Sequence, residues 1–241
     1  MVVTAIGVGE AFDAVEPSAC VLVEAEGFAL LIDCGHAAVQ AVWRAVPEAE
    51  RIGAIYLTHA HTDHVLGLVP LLDRWASAGR RGSLALMASP EVLALLRSLF
   101  QLLRVRTGPD SPFPVSFLAA AETKTIGPFG IATAPTAHSI DNRAVALAQG
   151  GRRFACSGDG RPTAESRALY AGADLLFHEC LVPAEAEGEP GHCDLPTVHS
   201  IGGPERIGLY HIRAGRRAAV KAAVRNDASL FVPEAGDRVA L

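Results

Sequence analysis

Residues 55–68 read IYLTHAHTDHVLGL, a buried strand running into a knot of ligand-type side chains and then into a helix. The run Ile52–Leu57 has the length and β-branched character of a strand covered on both faces, and a helical apolar pattern begins at Val65. Between them, His59, His61, Asp63 and His64 fall within six consecutive positions. Four ionisable groups at the mouth of an apolar strand repel or desolvate one another unless something compensates them. A divalent cation does this most economically. In extended or turning chain His59 and His61 project to the same side, because side chains alternate with period two. Asp63 and His64 fall where the chain enters the helix and can aim at a second nearby point. That arrangement suits two adjacent metal ions.

Outward from this junction, β-branched apolar runs recur at Ala19–Val23, Ala29–Ile32, Leu84–Met87, Arg153–Cys156, Leu175–Phe177 and Ile207–Tyr210. Helical patterns lie between them at Ala37–Val46, Val65–Ala76, Glu91–Leu103 behind a Ser89-Pro90 start signal, Ala164–Ala171 and Arg216–Val224. The alternation predicts an α/β or α+β fold with layered packing. Thr107–Pro114 and Pro183–Pro196 read as surface loops, since neither leaves enough chain beyond it for a second core, and a single domain over residues 1–241 is expected.

At 241 residues with 50% hydrophobic composition, such a chain buries roughly 70–75% of its unfolded surface without staples. Its net charge of −5 argues against a protein built to ride the phosphates of long nucleic acids. No apolar stretch reaches the roughly 18–20 residues of a membrane span. The opening MVVTAIGVGEAFDAVEP lacks the basic and apolar regions of a secretory signal and reads as a strand entering a Gly-rich turn, so a cytoplasmic location is expected. Cys20, Cys34, Cys156, Cys180 and Cys193 are scattered and odd in number, which fits reduced thiols.

The H-x-H-x-D-H run at a strand-to-helix junction resembles the signature of the metallo-β-lactamase fold hydrolases, whose fold is a four-layer αββα sandwich with the metals at one edge of two sheets. The likeness extends from the opening strand through LLIDCG (Leu30–Gly35) to the final helix. It implies three further ligands, for which the chain offers His138 in APTAHS, Asp159 in FACSGDG and His211 in GLYHI. By the resemblance His59, His61 and His138 hold one metal, Asp63, His64 and His211 the other, and Asp159 bridges them. The ions would be zinc, with manganese or iron as further options. Two such ions share a hydroxide that attacks while they clamp the substrate oxygen that gains charge. Asp63 and Asp159 then act as ligands that hold the nucleophile in line.

Within that superfamily the chain is similar to the ribonuclease Z and cyclic phosphodiesterase branch, through LLFHEC (Leu175–Cys180) and VHS (Val198–Ser200). Carried over, Glu179 orients His199, which contacts the scissile phosphate and protonates the leaving oxygen. The resemblance implies a phosphodiesterase for a small diester such as a cyclic nucleotide or cyclic ribose phosphate. A transfer-RNA 3′-processing endonuclease is disfavoured: no Gly- and Lys-rich insertion supplies the arm that grips transfer RNA, and a Gly202–Pro204 turn shortens the chain between His199 and His211. A carboxylic ester, lactone or thioester hydrolase would use the same metals, with only Glu179 and His199 arguing against it. Redox diiron proteins of this fold resemble a pattern with Glu where His61 stands, and a non-catalytic scaffold would show decayed ligands. Arg213, Arg216, Arg217 and Lys221 could meet a phosphate or form a solvated face. His36 reads as structural, and His192 and Cys193 lie in an acidic Pro-rich loop, where a lid role or an extra metal contact is the alternative to a plain loop. The branch implies a homodimer.

Overall fold

The computed structural model describes residues 1–184 and 189–241. Part of the expected Pro183–Pro196 loop, residues 185–188, therefore lies outside the described residues. Two mixed sheets stack face to face. In the first, the spatial order is β15 (Arg238–Ala240), β1 (Val2–Gly7), β2 (Cys20–Ala25), β3 (Phe28–Ile32), β4 (Ile52–Tyr56), β5 (Leu84–Ala88) and β6 (Val115–Ala119). The second runs β11 (Arg161–Pro162), β8 (Phe129–Ala137), β9 (Arg143–Gln149), β10 (Arg152–Cys156), β12 (Leu175–Glu179), β13 (Ile207–Tyr210) and β14 (Leu230–Phe231), with β7 (Thr125–Ile126) paired to β8. Each sheet begins as antiparallel pairs and turns parallel, from β3 to β6 in the first and from β10 through β12 and β13 to β14 in the second.

Val3, Val21, Leu30, Tyr56, Met87, Phe129, Leu147, Phe154 and Phe177 fill the space between the sheets. On the outside of the first sheet, Leu31, Ile55 and Leu86 pack against α1 (Val39–Ala45), α3 (Leu68–Ser77) and α4 (Pro90–Leu102). On the outside of the second, Ala155, Leu176 and Leu209 meet α5 (Ala164–Tyr170), α6 (Leu195–His199) and α7 (Arg217–Val224). This is the metallo-β-lactamase αββα sandwich. Because both sheets are covered twice, central strands such as LALMA of β5 are buried at every position rather than alternating.

Local chemistry fixes the helices. Leu68, Leu71, Leu72 and Trp75 form the buried stripe of α3. Ser89 caps α4 with Pro90 in its first turn, Thr163 and Ser166 form a capping box on α5, and Asp194 caps α6 by accepting from Thr197 N at 2.8 Å. The helix expected over Val65–Ala76 is two: α2 (Thr62–Val65) and α3, broken at Leu66-Gly67. The break lets the chain after β3 lie directly on it, with Cys34 N bonded to His64 O at 2.8 Å and Gly67 N to Cys34 O at 2.9 Å. A Cβ on Gly67 would run into Gly35 O, and one on Gly35 into the Asp63 backbone. Arg216 ends a 3-10 turn that precedes α7 rather than opening the helix itself. Among the described residues no helix is long and apolar enough to cross a membrane.

Candidate metal centre

The ligand-type side chains leave the carboxyl ends of strands in both sheets, where the parallel halves open toward one edge. Thr58 through His64 follow β4, Asp33 follows β3, His138 follows β8, Asp159 follows β10, Glu179 ends β12 and His211 follows β13. His59, Asp63, His64, Asp159, Glu179 and His211 are all buried.

His59 Nε2 and His138 Nε2 lie 3.1 and 3.2 Å from His61 Nδ1, and 3.7 and 3.9 Å from Asp159 Oδ2. Beside them, Asp63 Oδ2 lies 3.2 Å from His64 Nε2 and 3.3 Å from His211 Nε2, while Asp159 Oδ1 is 3.5 Å from His64 Nε2 and Asp159 Oδ2 is 3.5 Å from His211 Nε2. The donor atoms of His59, His61, His138 and Asp159 all lie within 4.8 Å of one another, as do those of Asp63, His64 and His211. Asp159 stands between the two groups.

The opposite ring nitrogens show that these atoms suit a metal. His138 Nδ1–H donates to Gly191 O at 2.7 Å and His64 Nδ1–H to Asp33 Oδ2 at 2.8 Å. Thr58 Oγ1 donates to Asp33 Oδ2 at 2.8 Å and so accepts from His59 Nδ1 at 3.0 Å. His211 Nδ1 lies 3.5 Å from Glu179 Oε2. Three rings, those of His59, His64 and His138, are thus pinned through Nδ1 and turn Nε2 toward the same small volume, while among the described residues His211 Nδ1 has no hydrogen-bond partner. His61 Nδ1 lies within 3.1–3.2 Å of two other ring nitrogens and carries at most one proton to share between them, and buried His64 Nε2 and Asp159 Oδ1 have no hydrogen-bond partners among the described residues, which is costly unless a cation meets them.

The electrostatics agree. Burial and then the neighbouring imidazoles push His59 well below the ordinary histidine pKa, keeping it a neutral ligand. Burial works against the charge on Asp63, but hydrogen bonds from His211 and His64 overcome it and hold the carboxyl well below the usual range. Burial also opposes charge on His211, yet Asp159, Asp63 and Glu179 lift it to about 10.

Asp33, which the sequence pattern does not single out, and His192, for which it leaves a lid role or an extra metal contact open, both belong to the surroundings of the cluster. Asp33 accepts from Thr58 N, Thr58 Oγ1 and His64 Nδ1, each at 2.8 Å, and sits in the left-handed region at φ 59°. A non-glycine residue held there is strained, and this three-bond grip on the β4 loop is what holds it. Its signal was the LLIDCG motif. His192 Nδ1 lies 2.9 Å from Glu179 Oε2 and 4.0 Å from Asp159 Oδ2, with its ring stacked 6.0 Å from that of His211. Glu179 also accepts from Cys193 N at 3.1 Å and from Gly160 N, so it ties the Asp159 loop to the His192 loop.

The expectation for His199 is corrected. Glu179 does engage a histidine from this segment, but that histidine is His192. Asp194 starts α6 two residues after His192, and Leu195 and Val198 take the buried face of that short helix. His199 is left at its end, 47% exposed, with Nδ1 at Leu195 O and Nε2 3.6 Å from Asp227. His178 points away as well: its ring packs against Tyr170 in the outer layer, with Nδ1 bonded to Glu179 O. The basic set divides too. Arg213 lines the cavity and pairs with Glu189, whereas Arg217 is buried against Pro233 O and Lys221 pairs with Glu234.

A cavity of about 580 Å³ opens over the cluster and is lined by His61, Asp63, Asp159, His192 and His211. Residues 1–214, which hold every one of these groups, match the model of the Anti-Pycsar protein Apyc1 family. The chain belongs to the Anti-Pycsar protein Apyc1 family. This Apyc1 family member is also 29% identical over 201 residues to Probable metallo-hydrolase YhfI of Bacillus subtilis, covering 80% of this chain and 78% of the relative. The YhfI crystal structure superposes with a TM-score of 0.83 at 23% identity over 99% of this chain and 98% of that one. Ribonuclease Z of Metallosphaera sedula is 25% identical over 269 residues, covering 88% and 89%. By contrast the chain spans only about a quarter (24%) of Ribonuclease Z 2, mitochondrial, of Schizosaccharomyces pombe, which is 27% identical over 170 residues, 64% of this chain. In fold, relatives and donor chemistry the chain is a metal-dependent hydrolase.

Proposed function

We propose that this enzyme is a phosphodiesterase for small diesters, such as a cyclic nucleotide, working with two divalent ions, most simply zinc. His59, His61 and His138 would hold one ion, Asp63, His64 and His211 the other, and Asp159 both. When bound, the ions supply the Lewis acidity that makes water nucleophilic near neutral pH and that neutralises charge on phosphoryl oxygens. The chain's own residues do the rest. Asp33, Thr58 and Gly191 fix the ring orientations through Nδ1, so the site is built before substrate arrives.

The observation that carries the diester reading is the Glu179–His192 pair at 2.9 Å beside Asp159. Burial opposes protonation of His192, but the hydrogen bond and charge of Glu179, followed by Asp159, raise its pKa above the ordinary histidine value. With Nδ1–H donated to the carboxylate, Nε2–H is the proton available to a departing alkoxide. Diester cleavage needs such a donor, because an alkoxide leaving group is a strong base. The Ribonuclease Z relatives support a phosphoryl substrate, and the net charge of −5 supports a small one over long RNA.

The test is turnover of a 3′,5′-cyclic nucleotide, whose leaving group is a ribose alkoxide, and of a p-nitrophenyl carboxylic ester by the zinc-loaded protein. Diester turnover that drops about 10²–10⁴-fold in His192→Ala is expected, the range for losing a general acid. Ester turnover without diester turnover would place the chemistry at a carbonyl and overturn the reading.

A further inference from the structure

The loop between β1 and β2 holds an aromatic ring in water at the mouth of the cavity. Phe12 is 91% exposed, yet it lines the same space as Asp63, Asp159, His192 and His211. A single exposed phenylalanine is ordinary. Phe12 differs in that its backbone is fixed from several sides. Its N–H donates to Glu10 Oε2 at 2.8 Å, and Asp13 N donates to Glu10 O at 3.2 Å. Asp13 Oδ1 in turn accepts from Val15 N and Glu16 N at 2.9 and 3.0 Å. Gly9 N donates to Pro17 O at 2.8 Å, and Val8 O accepts from His211 N at 2.9 Å, which ties the loop to the backbone of a ligand histidine.

The fold therefore holds a flat apolar surface at a set position beside the metal cluster and leaves it uncovered. The same cavity is lined by Arg213, which pairs with Glu189, and by Asp63, Asp159 and His211 of the cluster. Such a site suits a molecule that is anionic at one end and planar aromatic at the other, and about 580 Å³ is room for a ligand of nucleotide size. Val15, 88% exposed on the same loop, does not line the cavity.

We propose that Phe12 is a specificity-determining residue, a stacking platform for the base of a nucleotide whose phosphate reaches the metal cluster. This deepens the phosphodiesterase reading and rests on it for the chemistry at the phosphate, but the test separates the two. The probes are adenosine 5′-monophosphate and ribose 5-phosphate, titrated calorimetrically into the zinc-loaded protein. The wild type is expected to bind the nucleotide at least about fivefold more tightly than the sugar phosphate. Phe12→Ala should weaken the nucleotide by about five- to hundredfold, the range for losing one base–aromatic stack, and the sugar phosphate by less than about twofold. Phe12→Trp should keep the preference. Equal affinity for the two ligands in the wild type, no binding of the nucleotide, or an equal loss for both in Phe12→Ala would overturn the assignment. A base preference in a protein without diester turnover would leave the Phe12 platform standing and remove the phosphodiesterase reading. Diester turnover without a base preference would do the reverse.

Discussion

Each sheet places, beside the candidate metal centre, one buried carboxylate that lies outside the proposed ligand sets, and the two do different things. Asp33, from the first sheet, has a closed set of partners in Thr58 N, Thr58 Oγ1 and His64 Nδ1, and nothing about it faces the cavity. Glu179, from the second, accepts from Gly160 N, Cys193 N and His192 Nδ1 and lies 3.5 Å from His211 Nδ1, and His192 and His211 both line the cavity. One carboxylate fixes a ligand. The other couples a proposed ligand, His211, to His192, the residue proposed to donate the proton. The contrast teaches that similar sheet edges can divide the work, one making the site rigid and the other connecting it to substrate.

The predictions follow from that division in falling order of effect. Asp159→Ala removes the carboxylate that stands between the two donor groups, and diester turnover should drop to background in a stopped-time assay. His192→Ala comes next, with the loss of about 10²–10⁴-fold in kcat already stated and with metal content unchanged by mass spectrometry. Asp33→Asn and Glu179→Gln should separate the halves: each is expected to weaken metal binding about 10–100-fold in competition with a chromophoric chelator. Only Glu179→Gln should also lower kcat at saturating metal. Equal behaviour of the two variants would dissolve the distinction.

Metal uptake should also depend on pH with a defined sign. Burial opposes charge on His64 and His211, but Asp159 with Asp33 for the first, and Asp159 with Asp63 and Glu179 for the second, raise both pKa values. Binding must displace those protons, so affinity falls as pH falls, by about tenfold or more between pH 7.5 and 5.5 in a chelator titration. The smallest effect belongs to His199→Ala, which should change kcat by less than about twofold, because the ring lies at the exposed end of α6.

The run of four ligand-type residues was legible because β4 and α2 are adjacent in sequence, so His59, His61, Asp63 and His64 stay close together whatever the rest of the chain does. His138, Asp159 and His211 were found only through the family pattern: the strands before them, such as FGIATAPTA of β8, carry small residues and weak periodicity. The layered fold was readable from the apolar runs, but the break between α2 and α3 was not, since it depends on the approach of Gly35 and Gly67 across the sheet edge. His199 was misread for a related reason. Motif spacing gave a histidine in the right segment, whereas the Asp194 cap decides which histidine enters the helix and which faces Glu179.

The account stands or falls on two metal positions joined by Asp159. The direct measurement is divalent ion content per chain by mass spectrometry after zinc loading and dialysis, in the wild type and in His61→Ala and His211→Ala. About two ions in the wild type and about one in each variant is the predicted result. A wild type that holds none, or variants that both retain two, would contradict it.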